Sequence, residues 1–399
     1  MAVLRGGHIG VLPSAWLRRP VGGGTYRLGM LLLHTSDWHL GRSLHRADQR
    51  DAQAGFIDHL VSVVRAEQVD VVLVSGDVYD RAVPPLDAVQ LCESAFVRLQ
   101  EAGAQVVVIS GNHDSARRLG FGSRLIDSSG VFLRTDVSGC AVPVVIDGVS
   151  FFAIPYLEPE AVRACLGDAR GHVGVLTEAL ARVRAVAPPV SVVLAHAWVA
   201  GGVASESERD ITVGGVSAVP VSLFDGFAYS ALGHLHGAQV LSESLRYSGS
   251  PLAYSFSEAS HVKGSWLVSL SPSGLTGAEF VPAPVPRRLS TLRGPLDALL
   301  TDQALAGQEQ DYLSVVLTDV ARPDEAMSRL SVRFPHVLVL AHEPAGAPRS
   351  SDSYATRVAG RSDLEIAGEF VAHVRGTVAS ESELALLGAA FEAPRLVAR

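Results

Sequence analysis

Seven side chains able to give oxygen or nitrogen to a metal recur in one setting, the end of an apolar, β-branched run. Asp37 and His39 follow MLLLHTS (30–36), Asp77 follows DVVLVSG (70–76) and Asn112 follows VVVISG (106–111). His196 ends VSVVLAH (190–196), and His234 and His236 follow FAYSALG (227–233). Such runs take the form of buried strands, and open α/β sheets gather their chemistry at the carboxyl ends of strands. Asp37 and His39, like His234 and His236, stand two apart, which in extended chain puts both members of a pair on one side. The set holds no thiolate. Mixed carboxylate, amide and imidazole donors suit Mn²⁺, Fe²⁺ or Zn²⁺, and fit neither a cysteine-rich structural zinc nor a calcium cage. Seven donors are too many for one ion and fit two ions sharing a bridging carboxylate. Two ions about 3.5–4 Å apart are the usual apparatus for hydrolysing phosphate esters. His113, beside Asn112, is placed to steady charge on the phosphate or to protonate the leaving oxygen. Its partner is either Asp80 or Asp114. Asp80 also reads as a helix cap and Asp114 as a turn residue. His34, inside the first run, reads as a core residue. Arg42, Arg117 and Arg118 sit near the expected mouth and could meet phosphates.

The segments between these runs supply the scaffold. Residues 48–67 place Phe56, Ile57, Leu60, Val61 and Val64 at helical spacing, and residues 86–100 do the same with Ala88, Leu91, Cys92, Ala95, Phe96 and Leu99. Strand and helix therefore alternate as βαβαβ, which predicts a parallel sheet covered by helices. A shorter helix is expected at Ser123 to Ser128. VFLRT, AVPVVI and VSFFAIPY then predict an antiparallel run, and 173–186 another helix. LRYSGSPL and GSWLVSLS read as closing strands. The stretch from Val281 to Arg287, with Pro282, Pro284 and Pro286, is a stiff linker. Beyond it YLSVVLTDV and HVLVLAHE flank a helix near Asp324 to Val332, a small α/β module. Residues 344–354 form a second linker, and the tail has helical periodicity. Residues 1–29 show glycine clusters and no periodicity, so disorder is expected there, with translation starting at Met30. The expected domains are a disordered extension (1–29), a catalytic domain (30–283), a small α/β domain (284–345) and a helical segment (355–399).

At 399 residues, 48% hydrophobic and 19% charged, the composition is that of a soluble globular protein with room for more than one domain. No run reaches the length of a membrane span. Three scattered cysteines argue for reduced thiols, hence a cytoplasmic protein, and against a disulfide framework. The net charge of −8 gives no general attraction to nucleic acid, so a polyanionic substrate must be held by local features. Lys263 is the only lysine, and arginine supplies the remaining side-chain cations.

The order Asp37-Trp38-His39, Gly76-Asp77-Val78-Tyr79-Asp80, Gly111-Asn112-His113-Asp114, His196 and Gly233-His234-Leu235-His236 resembles that of the calcineurin-like metallophosphoesterases. The likeness covers most of residues 30–270. It implies an α/β fold, a sandwich of two sheets flanked by helices. It also implies that Asp37, His39 and His236 hold one ion, that Asn112, His196 and His234 hold the other, that Asp77 bridges, and that His113 acts on the phosphate. LLLHTSDWHLGR (31–42), SESERDITVGG (205–215) and RYSGSPLAYSFSE (246–258) are similar to the SbcD family, nuclease subunits of bacterial SbcCD complexes. The module after residue 287 resembles that family's capping, DNA-binding domain, and the tail its helices for the coiled coil of the SMC-like ATPase partner SbcC. This resemblance implies a Mn²⁺-dependent nuclease, a homodimer within a heterotetramer, serving DNA repair, replication and recombination. Its expected activities are 3′-to-5′ exonuclease on duplex ends and endonuclease on single strands and hairpins. Archaeal and eukaryotic relatives often carry histidine where this chain, like bacterial members, has Asp80. The alternative is a phosphomonoesterase or protein phosphatase, supported by the Asp80-Arg81 pair. Ala82 and Asp114 depart from that pattern, which continues with glycine and uses G-N-H-E.

Overall fold

The computed structural model describes residues 19–21, 25–27, 29–209, 218–344 and 361–397. Chain contacts divide it into Met1–His342 and Glu343–Arg399, each taken here by itself. The first unit opens with β1 (Arg19–Val21) and β2 (Thr25–Arg27), paired antiparallel. These residues lie in the segment expected to be disordered. Val21, Thr25 and Tyr26 are strand formers, and the pairing of 19–21 with 25–27 corrects that expectation for these six positions. The rest of 1–28, and with it the proposed extension, falls outside the described residues.

The first sheet grows from β3 (Met30–Thr35), α1 (Arg50–Glu67), β4 (Val71–Ser75), α2 (Leu86–Glu101) and β5 (Gln105–Ile109). Two short helices, α3 (Ala116–Leu119) and α4 (Ser123–Ile126), then lead to β6 (Val131–Arg134). The second sheet is built from β7 (Val144–Ile146), β8 (Val149–Ile154), α5 (Pro159–Leu166), α6 (Gly171–Arg184), β9 (Ser191–His196), β10 (Tyr229–Gly233), β11 (Gln239–Ser242) and β12 (Leu245–Tyr247). The chain returns to the first sheet through β13 (Gly264–Ser271) and β14 (Gly274–Pro282). The strand orders are 14-13-3-4-5-6 and 11-12-10-9-8-7. β3 to β6 are parallel, as are β8, β9, β10 and β12.

Each central strand is apolar on both faces, which is why it reads as a continuous run. Leu33, Val72, Val74, Val106 and Val108 pack under α1 and α2. Their alternates Leu32, Val71, Leu73, Val107 and Ile109 meet Phe151, Val192, Leu194 and Ala231 between the sheets. Phe152, Ile154, Val193 and Ala195 pack under Val175, Ala179 and Val183 of α6. The result is the expected α/β class: helices, two sheets, helices. One expectation fails. The three strand-like pieces after residue 130 do not form one antiparallel run. β6 pairs parallel to β5, because the α3–α4 stretch is long enough for a crossover. Only β7 and β8 form a hairpin. Asp147 (φ 45°) and Gly148 (φ 82°) turn it with two left-handed residues, the conformation an Asp-Gly hairpin uses.

After the proline stretch come β15 (Leu289–Gly294), α7 (Leu296–Thr301), β16 (Tyr312–Leu317), α8 (Ala326–Arg333) and β17 (Val337–His342). The strands form a three-stranded parallel sheet with its own core around Leu313, Val315, Leu330 and Phe334. β15 and α7 add to the sequence expectation. In the second unit α9 (Asp363–Arg375) and α10 (Glu381–Val397) pack on each other. Ser362 and Glu365 close a reciprocal capping box at the start of α9. Residues 345–354 of the expected second linker lie outside the described residues. Among the described residues no helix is long and apolar enough to cross a membrane. Cys92, Cys140 and Cys165 are free thiols.

Candidate metal centre

β3, β4, β5, β9 and β10 deliver their carboxyl ends to one place, and the seven donors meet there. The route differs from extended alternation. Asp37 (φ 52°), His39 (φ 45°), Asp77 (φ 48°) and His234 (φ 108°) all have positive φ. The paired donors therefore converge through turned backbone, correcting the same-side-of-a-strand argument. Such backbone costs L-residues about 1–2 kcal/mol each. Hydrogen bonds between loops hold it: Asp37 N–H donates to Gly76 O (3.0 Å), and His39 N–H to Asp77 O (2.9 Å). Glycines let the loops close in. A Cβ on Gly233 would stand 1.9 Å from Ser75 O, and one on Gly111 would stand 2.1 Å from Asp77 Oδ1.

Asp77 lies in the middle. Its Oδ2 is 3.6 Å from His39 Nε2 and 3.5 Å from His196 Nε2, and its Oδ1 accepts from His113 N–H (2.8 Å). On one side His39 Nε2 faces His236 Nε2 at 3.0 Å, beside Asp37. On the other, Asn112 Oδ1 lies 2.8 Å from His196 Nε2 and 3.2 Å from His234 Nδ1. His196 Nδ1 donates to Ser75 O (2.9 Å), which leaves its Nε2 lone pair toward the centre. Asp37 accepts the His234 N–H (3.0 Å) and the Ser36 hydroxyl.

This group is unfavourable without a cation. Asp37, His39, His196 and His234 are buried. Burial, then the neighbouring Asp77 charge, raises the Asp37 carboxyl well above its usual range. Burial, then the imidazoles around them, holds His39 and His234 well below theirs. His39 Nδ1 and Asn112 Nδ2 are buried with no hydrogen-bond partner. Divalent cations answer the crowded carboxylates and the imidazoles held neutral, so the donor set fits them.

His113 has an unexpected partner. Its Nδ1 donates to the backbone carbonyl of Asp80 (2.8 Å), so neither candidate carboxylate takes that role. Asp114 is occupied as a loop brace, accepting the N–H groups of Val78 (3.1 Å), Tyr79 (2.9 Å) and Gly111 (2.9 Å). Burial, then Asp77, pushes its carboxyl up to about 7. The Asp80 carboxylate lies 3.7 Å from both His39 Nδ1 and Arg42 Nε. His113 opens into a cavity of about 510 Å³ lined also by Arg42, Asp80, Arg81, Asn112 and Arg209. Arg117 and Arg118 are absent from that lining, and Arg118 is spent on Ala82 O (2.9 Å). His34 is a core residue between the sheets, bonded to Tyr229 OH (2.9 Å) and Leu232 O (3.1 Å).

Several residues that support the donors lie outside the sequence expectations. Gln53 donates to His39 O (2.9 Å) and Tyr254 to Trp38 O (2.6 Å). Ser207, Glu208, Glu258 and Lys263 surround His236. The Ser-Glu stretches at 205–208 and 255–258 carried a signal only as likeness to a family.

Two β-sheets thus lie back to back, with a buried carboxylate, imidazole and amide cluster at one end. Residues 30–160 match the calcineurin-like phosphoesterase family, so the chain carries a metallophosphoesterase domain. Residues 285–375 match the type 5 capsule protein repressor C-terminal domain, the SbcD_C type. Among solved structures the chain is similar to a dimetal phosphatase from Danio rerio, at 12% identity and TM-score 0.38, covering 64% of this chain and 99% of that one. It is also similar to GAP50, the anchor in the inner membrane complex of Plasmodium, at 9% identity and TM-score 0.36, covering 80% and 99%. TM-scores this low add nothing to the family matches.

Proposed function

We propose that this protein is a two-metal DNA nuclease of the SbcD kind, working with an SbcC-type ATPase on DNA ends and hairpins inside the cell. The observation that carries the reading is the joining of a metallophosphoesterase domain to an SbcD_C-type module in one chain. An accessory module of that size has no use in a minimal phosphatase. The arginine-lined mouth supports it, since a nucleic-acid strand carries phosphates on both sides of the one being cut. Homodimerisation and the ATPase partnership extend the same reading.

Asp37, His39 and His236 would hold one ion, Asn112, His196 and His234 the other, with Asp77 between. When bound, a pair of divalent ions, Mn²⁺ in this proposal, polarises phosphoryl oxygens and lowers the pKa of water. The chain's own groups do the rest. Asp80 O fixes the His113 tautomer, leaving Nε2 to meet a phosphate oxygen or the leaving oxygen. Arg42, Arg81 and Arg209 hold neighbouring phosphates. Arg81 at the mouth also suits a phosphomonoesterase, the second reading.

One assay separates the two: end-labelled duplex, hairpin and single-stranded DNA against nitrophenyl phosphate, all with Mn²⁺. DNA cleavage is expected, and His113→Ala should lower it by about 10²-fold or more while Mn²⁺ stoichiometry stays unchanged. Fast monoester turnover with intact DNA would overturn the proposal.

A further inference from the structure

His236 is the metal-centre histidine whose ring is held by side chains brought from two distant stretches. Its Nε2 faces His39, so the proton on its other nitrogen decides whether Nε2 offers a lone pair. Nδ1 is hydrogen-bonded to the Ser207 hydroxyl and lies 3.4 Å from Glu258 Oε1. The Ser207 hydroxyl is in turn bonded to that same Oε1. A carboxylate can only accept, so the chain of bonds runs one way: Nδ1–H to hydroxyl, hydroxyl to carboxylate. Such outer partners fix tautomer and ring orientation in metal sites.

Glu258 is fully enclosed and is matched by the chain's only lysine. Lys263 Nζ is bonded to Glu258 Oε2, to His236 O (2.8 Å) and to Ser250 Oγ (3.0 Å), which uses all three ammonium donors. Three acceptors around one point suit a compact ammonium better than a planar guanidinium, in a chain that otherwise uses arginine. Glu208 completes the grip, accepting the His236 N–H (2.7 Å). A buried ion pair is a poor way to add stability, since an apolar pair of like volume often does as well. Its position behind one ligand calls for another reason.

We infer that Glu258, anchored by Lys263 and relayed through Ser207, is a positioning residue that fixes His236 in the tautomer and orientation that receive a divalent cation. This rests on the reading of His236 as a ligand. Lys263 grips the ligand's backbone and Glu258 its ring, so the pair acts as one clamp.

The test is calorimetric titration of the full chain with Mn²⁺, beside thermal melting without metal. Wild type should take up two ions. Glu258→Gln with Lys263→Met swaps the ion pair for a neutral one, which protects the fold from an unpaired buried charge. That double variant should melt near wild type and bind one of the two ions tenfold to hundredfold more weakly, with the other changed less than about threefold. Ser207→Ala, which keeps the ion pair, should weaken the same ion. A purely structural pair would lower the melting temperature and leave both affinities alone, and that result overturns the inference. Should the double variant fail to fold, Ser207→Ala decides, with unchanged affinity counting against the clamp. Wild type binding no Mn²⁺ would sink the metal-centre reading itself. Wild type binding two ions with indifferent variants would sink the clamp alone.

Discussion

At the scale of residues, the metal centre depends on atoms that are missing as well as on donors. A Cβ on Gly111 would stand 2.1 Å from Asp77 Oδ1 and 2.3 Å from the backbone N of Asp77, which no side-chain rotation can move away. Gly111→Ala should displace Asp77, the carboxylate between both donor groups. The expected outcome is Mn²⁺ binding weakened more than tenfold and a loss of about 1–3 kcal/mol in urea unfolding. Normal affinity would mean the loops part without cost. The identity and order of the donors were legible because each ends a strand. The geometry that joins them was not, because left-handed Asp and His carry no sequence mark. Nor was the partner of His113 legible. Carboxylates stand out in a sequence, and a backbone carbonyl does not. Glu258 and Ser207 escaped for a third reason: they act on His236 from 22 and 29 residues away.

At the scale of elements, two sheets share one apolar interior, and His34 of β3 reaches across it to Tyr229 and Leu232 of β10. Burial lowers its pKa to about 3, against a smaller opposing effect of the bond to Leu232 O. Between that value and the ordinary histidine pKa, the unfolded chain takes up a proton that the folded chain refuses. Stability therefore falls as pH falls through this window, by about 1.4 kcal/mol per pH unit. His34→Gln should be somewhat less stable at pH 7.5 and should show a shallower decline toward pH 5, by about 2 kcal/mol in total. Urea midpoints across that range measure it, and an unchanged slope would show that other groups carry the acid sensitivity. The same interior explains which elements the sequence announced. Strands buried on both faces are continuous apolar runs. The antiparallel run expected after residue 130 misled because β6, β7 and β8 are short and similarly apolar. Strand direction depends on the connection between strands, not on their composition.

At the scale of the whole molecule, the chain divides into two units, and the tail is the second. The apolar clusters of the first unit are built from residues between Met30 and Leu340. Glu343–Arg399 has its own paired helices, and these leave Phe370, Val374, Leu386 and Phe391 exposed. In the proposed function these exposed apolar groups are a surface for a partner, the coiled coil of the ATPase. Deleting residues 361–399 should leave the melting temperature within about 2 °C, because the clusters of the first unit are built from residues 30–340. Mn²⁺ uptake and cleavage of DNA by the isolated chain should also persist, since the donors and the arginine-lined mouth lie between residues 37 and 236. Co-purification with the ATPase should be lost. A truncated chain that still retains the ATPase would move the docking surface onto the first unit. One that loses Mn²⁺ binding would show that the tail supports the metal centre.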